Sequence, residues 1–332
     1  MPTLAAPMAG GATTPGIVVA AAEAGSFGFL ATGYKTPQLL AEQLAEVRRS
    51  TAVFGVNLFA PNPVPVDPDE FRRYALALQP VAEPYGLDLQ PAQPVEDDDF
   101  WQEKVDLLIA EPVPVVGFTF GIPDRSVIAA FRRAGSVTIQ TVTSGEEARL
   151  AEAAGVDVLA AQSSAAGGHW GTLTPHSPPA QLALPELLAA VRATTRLPVV
   201  AAGGVSTPSE VQTLLGAGAD AVMVGTALLR ANESGTPQVH KAALADHRRG
   251  APVQTRAFTG RPARGLPNEF IANFDAIAPL GYPALHHLTS ALRKSAAAAG
   301  NPELFSLWAG TGYRNATEEP AAKILERLSR NV

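Results

Sequence analysis

Along the first two-thirds of the chain, apolar residues at helical spacing alternate with short segments that are apolar at nearly every position. Four times a helix-spaced run ends in Ala-Gly, and a strand-like run follows within a few residues. The pairs are Ala24-Gly25 before FGFLA, Ala134-Gly135 before VTIQTV, Ala154-Gly155 before VDVLAAQ and Ala217-Gly218 before DAVMVG. A helix closes readily on glycine because the residue after the cap takes a positive φ at no steric cost. A strand buried on both faces reads as a continuous apolar run.

Extended along the chain, this pattern predicts eight strands, at residues 3–7, 27–31, 54–58, 114–119, 136–141, 156–162, 197–202 and 220–225. Helices are expected between most of them, at 37–49, 123–134 and 207–216 among others. Pro15, Pro37, Pro123 and Pro208 suit first helical turns, where a missing N–H costs nothing. Alternating strands and helices imply a parallel sheet. Eight such units over about 230 residues favour a closed (β/α)8 TIM barrel over an open sheet. The third and fourth strands lie too far apart for one unit, so the PNPVPVDP run (61–68) and a helix near 98–110 read as an elaborated loop. The rhythm then stops. Residues 1–235 are taken as the barrel, and 236–306 as a smaller, mainly helical, lid-like addition without clear strands. In 307–332, a helix over 318–330 places Ile324, Leu325 and Leu328 to pack on the barrel wall.

Composition narrows the class. Of the 332 residues, 46% are hydrophobic and 17% charged, which supports a large core and argues against disorder. The net charge of −6, with dispersed Lys and Arg, gives no footprint for nucleic acid. The absence of cysteine removes disulfide frameworks, thiolate metal sites and any cysteine nucleophile. No basic residue precedes Lys35, and the apolar stretch 15–34 is broken by Glu23 and small polar residues, so neither a secretory signal nor a membrane span is expected. The expected protein is soluble and cytoplasmic in type, a monomer or homodimer.

Barrel ligands bind at the C-terminal ends of the strands, with phosphates commonly after the seventh and eighth. Gly203 and Gly204 end the expected seventh strand, and Gly225 and Thr226 the eighth. Such glycine turns let backbone N–H groups approach an anion, although they also serve as plain strand–helix junctions. After the sixth strand, QSSAAGGHWG places Gln162, the flexible Gly167-Gly168 pair and His169 at the barrel mouth. An imidazole there can exchange a proton near neutral pH. Met8 of APMAGG ends the first strand, and the amide of Asn57 ends the third. His240, His247, His286 and His287 lack such a context and read as structural; adjacent His286 and His287 diverge on a helix, which is not metal spacing. Arg256, Arg261 and Arg264 could bind a substrate carboxylate or clasp the addition to the barrel.

At these residues the sequence resembles the FMN-dependent nitronate monooxygenases, formerly called 2-nitropropane dioxygenases. The resemblance runs through APMAGG, GVNLF, the Gln-x4-Gly-Gly-His block, the AAGG turn and GADAVMVGT, in that order. TRAFTGRPARG (255–265) and LWAGTGYR (307–314) look like the C-terminal signatures of the bacterial branch. Flavin-dependent enoyl-ACP reductases and certain NADH:quinone reductases share the central blocks. The resemblance implies that Gln162, Gly167 and Gly168 contact FMN and that Asn57 binds its polar edge. It implies that Gly204, Met223, Val224, Gly225 and Thr226 hold the phosphate, with Met8 near the ring system and His169 as the active-site histidine. Three departures stand out: Ser163 to Ala166 replace a Gly- and Glu-containing stretch, Met223 stands where Gln is frequent, and Trp170 replaces a usual Arg, which would narrow the substrate mouth.

The implied reaction is oxidative denitrification of an alkyl nitronate, propionate 3-nitronate being one candidate. The nitronate reduces the flavin, O2 reoxidises it, and a carbonyl compound and nitrite are released; no metal is required. A second reading keeps FMN but takes hydride from NAD(P)H for an enoyl thioester or quinone. No GxGxxG fingerprint follows a strand, but flavin barrels bind nicotinamide without one. A third reading is a flavin- or phosphate-binding barrel with little catalysis. Barrel dehydrogenases that form a covalent thioimidate are excluded, because they need a cysteine.

Overall fold

A computed structural model describes residues 1–330. Its strands are β1 (Thr3–Ala5), β2 (Phe29–Ala31), β3 (Gly55–Ala60), β4 (Val115–Phe120), β5 (Val137–Val142), β6 (Val158–Gln162), β7 (Gly168–His169), β8 (Val199–Ala202), β9 (Ala221–Val224), β10 (Val253–Thr255) and β11 (Ala263–Gly265). Eight of them form one parallel sheet in the order β1-β9-β8-β6-β5-β4-β3-β2. A parallel bridge between Ala5 and Gly28 joins its two ends, so the sheet curls into a (β/α)8 barrel. All eight expected strands are present, each within two or three residues of its expected bounds.

The barrel is built as the apolar runs require. Phe29, Ile139, Ala160, Val200 and Met223 fill the bore. The alternate strand residues, such as Leu30, Val56, Phe118, Leu159 and Val224, pack outward against the helices. Gly25, Gly135, Gly155 and Gly218 all take left-handed φ values, between 69° and 101°, so the four Ala-Gly pairs do end helices. Thr14, Thr36 and Thr207 each cap a helix whose first residue is proline. At the fourth such site the cap is Asp124, so Pro123 precedes the helix and does not open it.

Two expectations need correction. The long β3–β4 connection carries a 15-residue helix, Pro68–Ala82, besides the helix Trp101–Ala110. The addition also contains strands: its β10 and β11 pair with β7 of the barrel segment in a small antiparallel sheet, with Ala263 opposite His169 and Arg264 opposite Gly168. Strands of two or three residues are too short for a period-two pattern to register. A second core joins the two irregular regions, with Phe71, Tyr74 and Leu78 packed among Phe258, Phe270, Leu285, Leu288 and Leu292. The last helix, Ala321–Leu328, buries Ile324, Leu325 and Leu328 in the main core, as its spacing predicts.

Candidate active site

The C-terminal ends of β8 and β9 carry the glycine turns. Gly203 (φ +123°) and Gly204 (φ +79°) occupy backbone conformations that other residues avoid. There is also no room for a side chain: a Cβ on Gly204 would stand 2.5 Å from Thr311 Oγ1, and one on Gly203 would stand 2.5 Å from Ser163 Oγ. Among the described residues, the amides of Gly203, Gly204 and Gly225 have no backbone or side-chain acceptor. Thr226 Oγ1 accepts from the Gly310 amide at 2.9 Å, which leaves its own proton free to donate. Met8 lies alongside, its Sδ 3.5 Å from the position of a Cβ on Gly225. A cleft of about 240 Å3 lies between Gly203, Gly204 and Thr311 and the helices Leu184–Arg192 and Pro208–Gly216, with Glu210 also on its wall. The arrangement is a cradle of unsatisfied N–H donors suited to an anion.

His169 sits in β7 and is therefore held by the added sheet. Gln162 at the end of β6 braces the same loop: its Oε1 accepts from the Gly171 amide at 2.7 Å, and its Nε2 donates to the His169 carbonyl at 3.3 Å. The imidazole Nε2 lies 2.9 Å from Thr259 Oγ1, which is 3.4 Å from the Arg261 carbonyl. The Thr259 proton thus has two acceptors, and Nδ1 has no partner among the described residues. Phe120, Tyr282 and Trp308 surround the ring at centroid distances of 5.7, 5.6 and 5.8 Å. Burial, reinforced by the cations Arg261 and Arg293, pushes the imidazole down to about 3, so His169 is neutral at physiological pH.

Among the described residues, neither arginine has a carboxylate within ion-pair distance. The fully buried Arg261 donates to the carbonyls of Thr172 (2.5 Å) and Asn62 (3.4 Å) and stacks on Phe120, its Nε unpaired. Arg293 donates to Thr289 Oγ1 and to the carbonyl of His286. Burial lowers each guanidinium to about 10, leaving both charged. On the opposite side of the mouth from the glycine cradle, Tyr34, Phe59, Asn62, Phe120 and Tyr282 line a cavity of about 470 Å3 over β2–β4. The Tyr34 and Tyr282 hydroxyls meet at 3.1 Å, and the Tyr34 ring stacks on His286 at 3.8 Å.

The sequence-derived residues fall into three groups. Met8, Gly203, Gly204, Gly225 and Thr226 converge at the cradle, and Gly167 joins them through its contact with Gly310. Gln162, Gly168 and His169 form the wall between cradle and cavity. Asn57 faces the bore from β3; its Oδ1 accepts from Thr119 at 3.3 Å, and its Nδ2 donates to no described residue. Met223 also faces the bore, whereas Val224 points outward into the helix layer, so only its backbone borders the site. Trp170 is buried and donates to the Gln162 carbonyl; the rings that crowd His169 are Phe120, Tyr282 and Trp308. Arg264 donates to the Ser164 carbonyl and Arg256 to that of Ala278, which makes both clasps within or onto the addition. His240, read as structural, holds Trp308 through its carbonyl at 3.0 Å. Thr259, Arg293, Tyr34, Tyr282 and the Gly310–Thr311 turn were not anticipated; the AGTG stretch at 309–312 was the one glycine signal that could have disclosed the last of these. Among the described residues, no three His, Asp or Glu side chains converge as metal ligands.

Comparison with known proteins points one way. A family model described as nitronate monooxygenase matches residues 1–331. A Bacillus subtilis (strain 168) protein named as a probable nitronate monooxygenase is 34% identical over 330 residues, covering 98% of this chain and 93% of that protein. The crystal structure of a nitroalkane oxidase from Streptomyces ansochromogenes is 44% identical, with a TM-score of 0.92 over 99% of this chain and 94% of that one. FabK from Thermotoga maritima is more distant, at 25% identity and a TM-score of 0.75 over 98% of this chain and 91% of that one.

Proposed function

Because the chain belongs to the nitronate monooxygenase family, and is therefore an enzyme, we propose that it oxidises alkyl nitronates with FMN and O2, releasing a carbonyl compound and nitrite. The carrying observation is His169, set in the wall between the anion cradle and the aromatic cavity beside Arg261 and Arg293, neither of which has an ion-pair partner among the described residues. The cradle fits a flavin phosphate: among the described residues three amides lack acceptors and a threonine hydroxyl is free to donate, while Gly203 and Gly204, without side chains, let their turns pack against Ser163 and Thr311. Gly203, Gly204, Gly225 and Thr226 would hold that phosphate, and Met8, Asn57 and Gln162 would border the ring system. Bound FMN supplies electron transfer from the nitronate and reaction with O2.

The remaining work belongs to the protein. Arg261 and Arg293 provide a positive field that favours an anionic substrate over its neutral acid in a water-poor site. Phe120, Tyr282 and Trp308 exclude water and confine the substrate beside His169. The Thr259 hydroxyl, donating either to Nε2 or to the Arg261 carbonyl, selects which tautomer His169 presents. With Nδ1 protonated, it donates to a nitronate oxygen. Residues 236–306 act as the lid that carries Thr259, Arg261, Tyr282 and Arg293 to the barrel.

The test is the visible spectrum of the purified protein, with the released cofactor identified, followed by anaerobic mixing with ethyl nitronate and separately with NADPH or NADH. Loss of flavin absorbance with the nitronate supports the proposal. Rapid bleaching by a reduced nicotinamide alone would place the protein with the NAD(P)H-dependent reductases, and a colourless protein that takes up no FMN would overturn the cofactor assignment.

A further inference from the structure

The cavity over β2–β4 has features that the oxidation of a small nitronate does not use. Its volume, about 470 Å3, lies in the range of small-molecule sites, and its walls are the rings of Tyr34, Phe59, Phe120 and Tyr282. In the ring of strands, β3 and β4 stand opposite β8 and β9, so the cavity faces the glycine cradle across the mouth. Two of its wall rings, Phe120 and Tyr282, also touch His169. The backbone is specialised here as well. Among the described residues, the non-glycine positions with left-handed φ are Tyr34 (66°), Asp99 (58°), Phe100 (57°) and Phe120 (81°), and three of the four line this cavity. Bulky aromatic residues avoid that conformation, and such outliers concentrate at ligand-binding sites. Gly33 makes room for the Phe59 ring, which a Cβ would meet at 2.2 Å.

Charge is graded along the cavity. Arg261 stacks behind Phe120 at its inner end, 4.1 Å from the ring centroid. The outer lining is Glu96, Asp97, Asp98 and Asp99. Lys104 pairs with Asp99 at 2.7 Å, and the His287 ring lies 2.8 Å from Asp97, while among the described residues Glu96 and Asp98 have no ion-pair partner. An anionic head therefore belongs at the inner end, beside His169, and a second negative charge at the tail would meet uncompensated carboxylates.

We infer that this cavity is the subsite for the non-reacting part of the substrate, and that this part is an uncharged, apolar chain or ring. The inference rests on the nitronate reading for its substrate class, and it ranks long-chain or aryl nitronates above propionate 3-nitronate. Burial of a methylene is worth about fourfold in affinity, so transition-state binding should grow with chain length until the cavity is filled.

The flavin-loaded full chain is assayed with the nitronates of nitroethane, 1-nitrobutane and 1-nitrohexane and with propionate 3-nitronate. We expect kcat/KM to rise at least tenfold from the two-carbon to the six-carbon nitronate, and propionate 3-nitronate to fall below the butyl compound. Phe59→Trp, which fills the cavity, should compress the chain-length series, and Glu96→Gln should narrow the carboxylate gap. A flat or falling series overturns the subsite, and an unchanged carboxylate gap in Glu96→Gln overturns the charge argument. Calorimetric titration with acetate and hexanoate gives a readout independent of turnover: hexanoate should bind at least tenfold more tightly, less so in Phe59→Trp. Equal affinities would remove the subsite even if nitronates are oxidised. Tighter hexanoate binding with no nitrite from any nitronate would instead remove the functional reading and keep the cavity.

Discussion

His169 was legible as a candidate because a histidine after two glycines at a strand end has few structural reasons to be there. Its surroundings were not, since Thr259, Trp308 and Tyr282 reach it from far along the chain and no local pattern announces them. Replacing His169 with alanine should lower kcat/KM for nitronates by about 100-fold or more, in the range of a lost proton-handling group. Thr259 acts through the imidazole and is a positioning residue. Thr259→Val should lower kcat about tenfold and change the pH profile of kcat/KM, while Thr259→Ser should restore both; a valine variant with wild-type kcat and pH profile would remove it from the account. Gln162 shows a role that its position alone does not announce: the resemblance implies a cofactor contact, and in the structure both ends of its amide also brace the backbone of the histidine loop.

At the scale of elements, the eight barrel strands could be read directly because each is a continuous apolar run buried on both faces, punctuated by helix-ending glycines. The small sheet of β7, β10 and β11 could not, since its strands are two or three residues long and β7 pairs with a segment some ninety residues away. Its packing is tight. A Cβ on Gly265 would stand 2.8 Å from the Leu307 carbonyl and 3.1 Å from the Trp308 ring. Gly265→Ala should destabilise the protein by about 1–3 kcal/mol through overpacking, read as a lowered urea midpoint, with a fall in kcat because the same sheet carries His169. In the turn after β8 the loss should be of cofactor. Gly204→Ala combines a disfavoured φ with a clash at Thr311, and the purified variant should contain less than a tenth of the wild-type flavin (a factor of ten being about 1.4 kcal/mol) while keeping its helical circular dichroism.

Across the whole molecule, the second core joins the β3–β4 insertion to the addition, so the walls of the aromatic cavity and the cations behind them are assembled from both. The same assembly buries three histidines in neutral form. Burial is the main cause for each: His169 is lowered to about 3 and His240 to about 4, and His286 lies well below the ordinary value. In the unfolded chain these groups take up protons below about pH 6.5. Their contribution to stability is therefore complete above that pH and is lost as pH falls toward 4, by up to about 1.4 kcal/mol per pH unit for each histidine. Urea midpoints should drop steeply between pH 7 and pH 5, and less steeply in His240→Gln; a flat wild-type profile would contradict the neutral assignment. The most direct test of the central claim is nitrite release under air by the flavin-loaded protein supplied with an alkyl nitronate and no nicotinamide. The account predicts catalytic nitrite formation that disappears without O2 and falls about 100-fold or more in His169→Ala. Absence of nitrite from every nitronate tried, or equal release by wild type and His169→Ala, would contradict it.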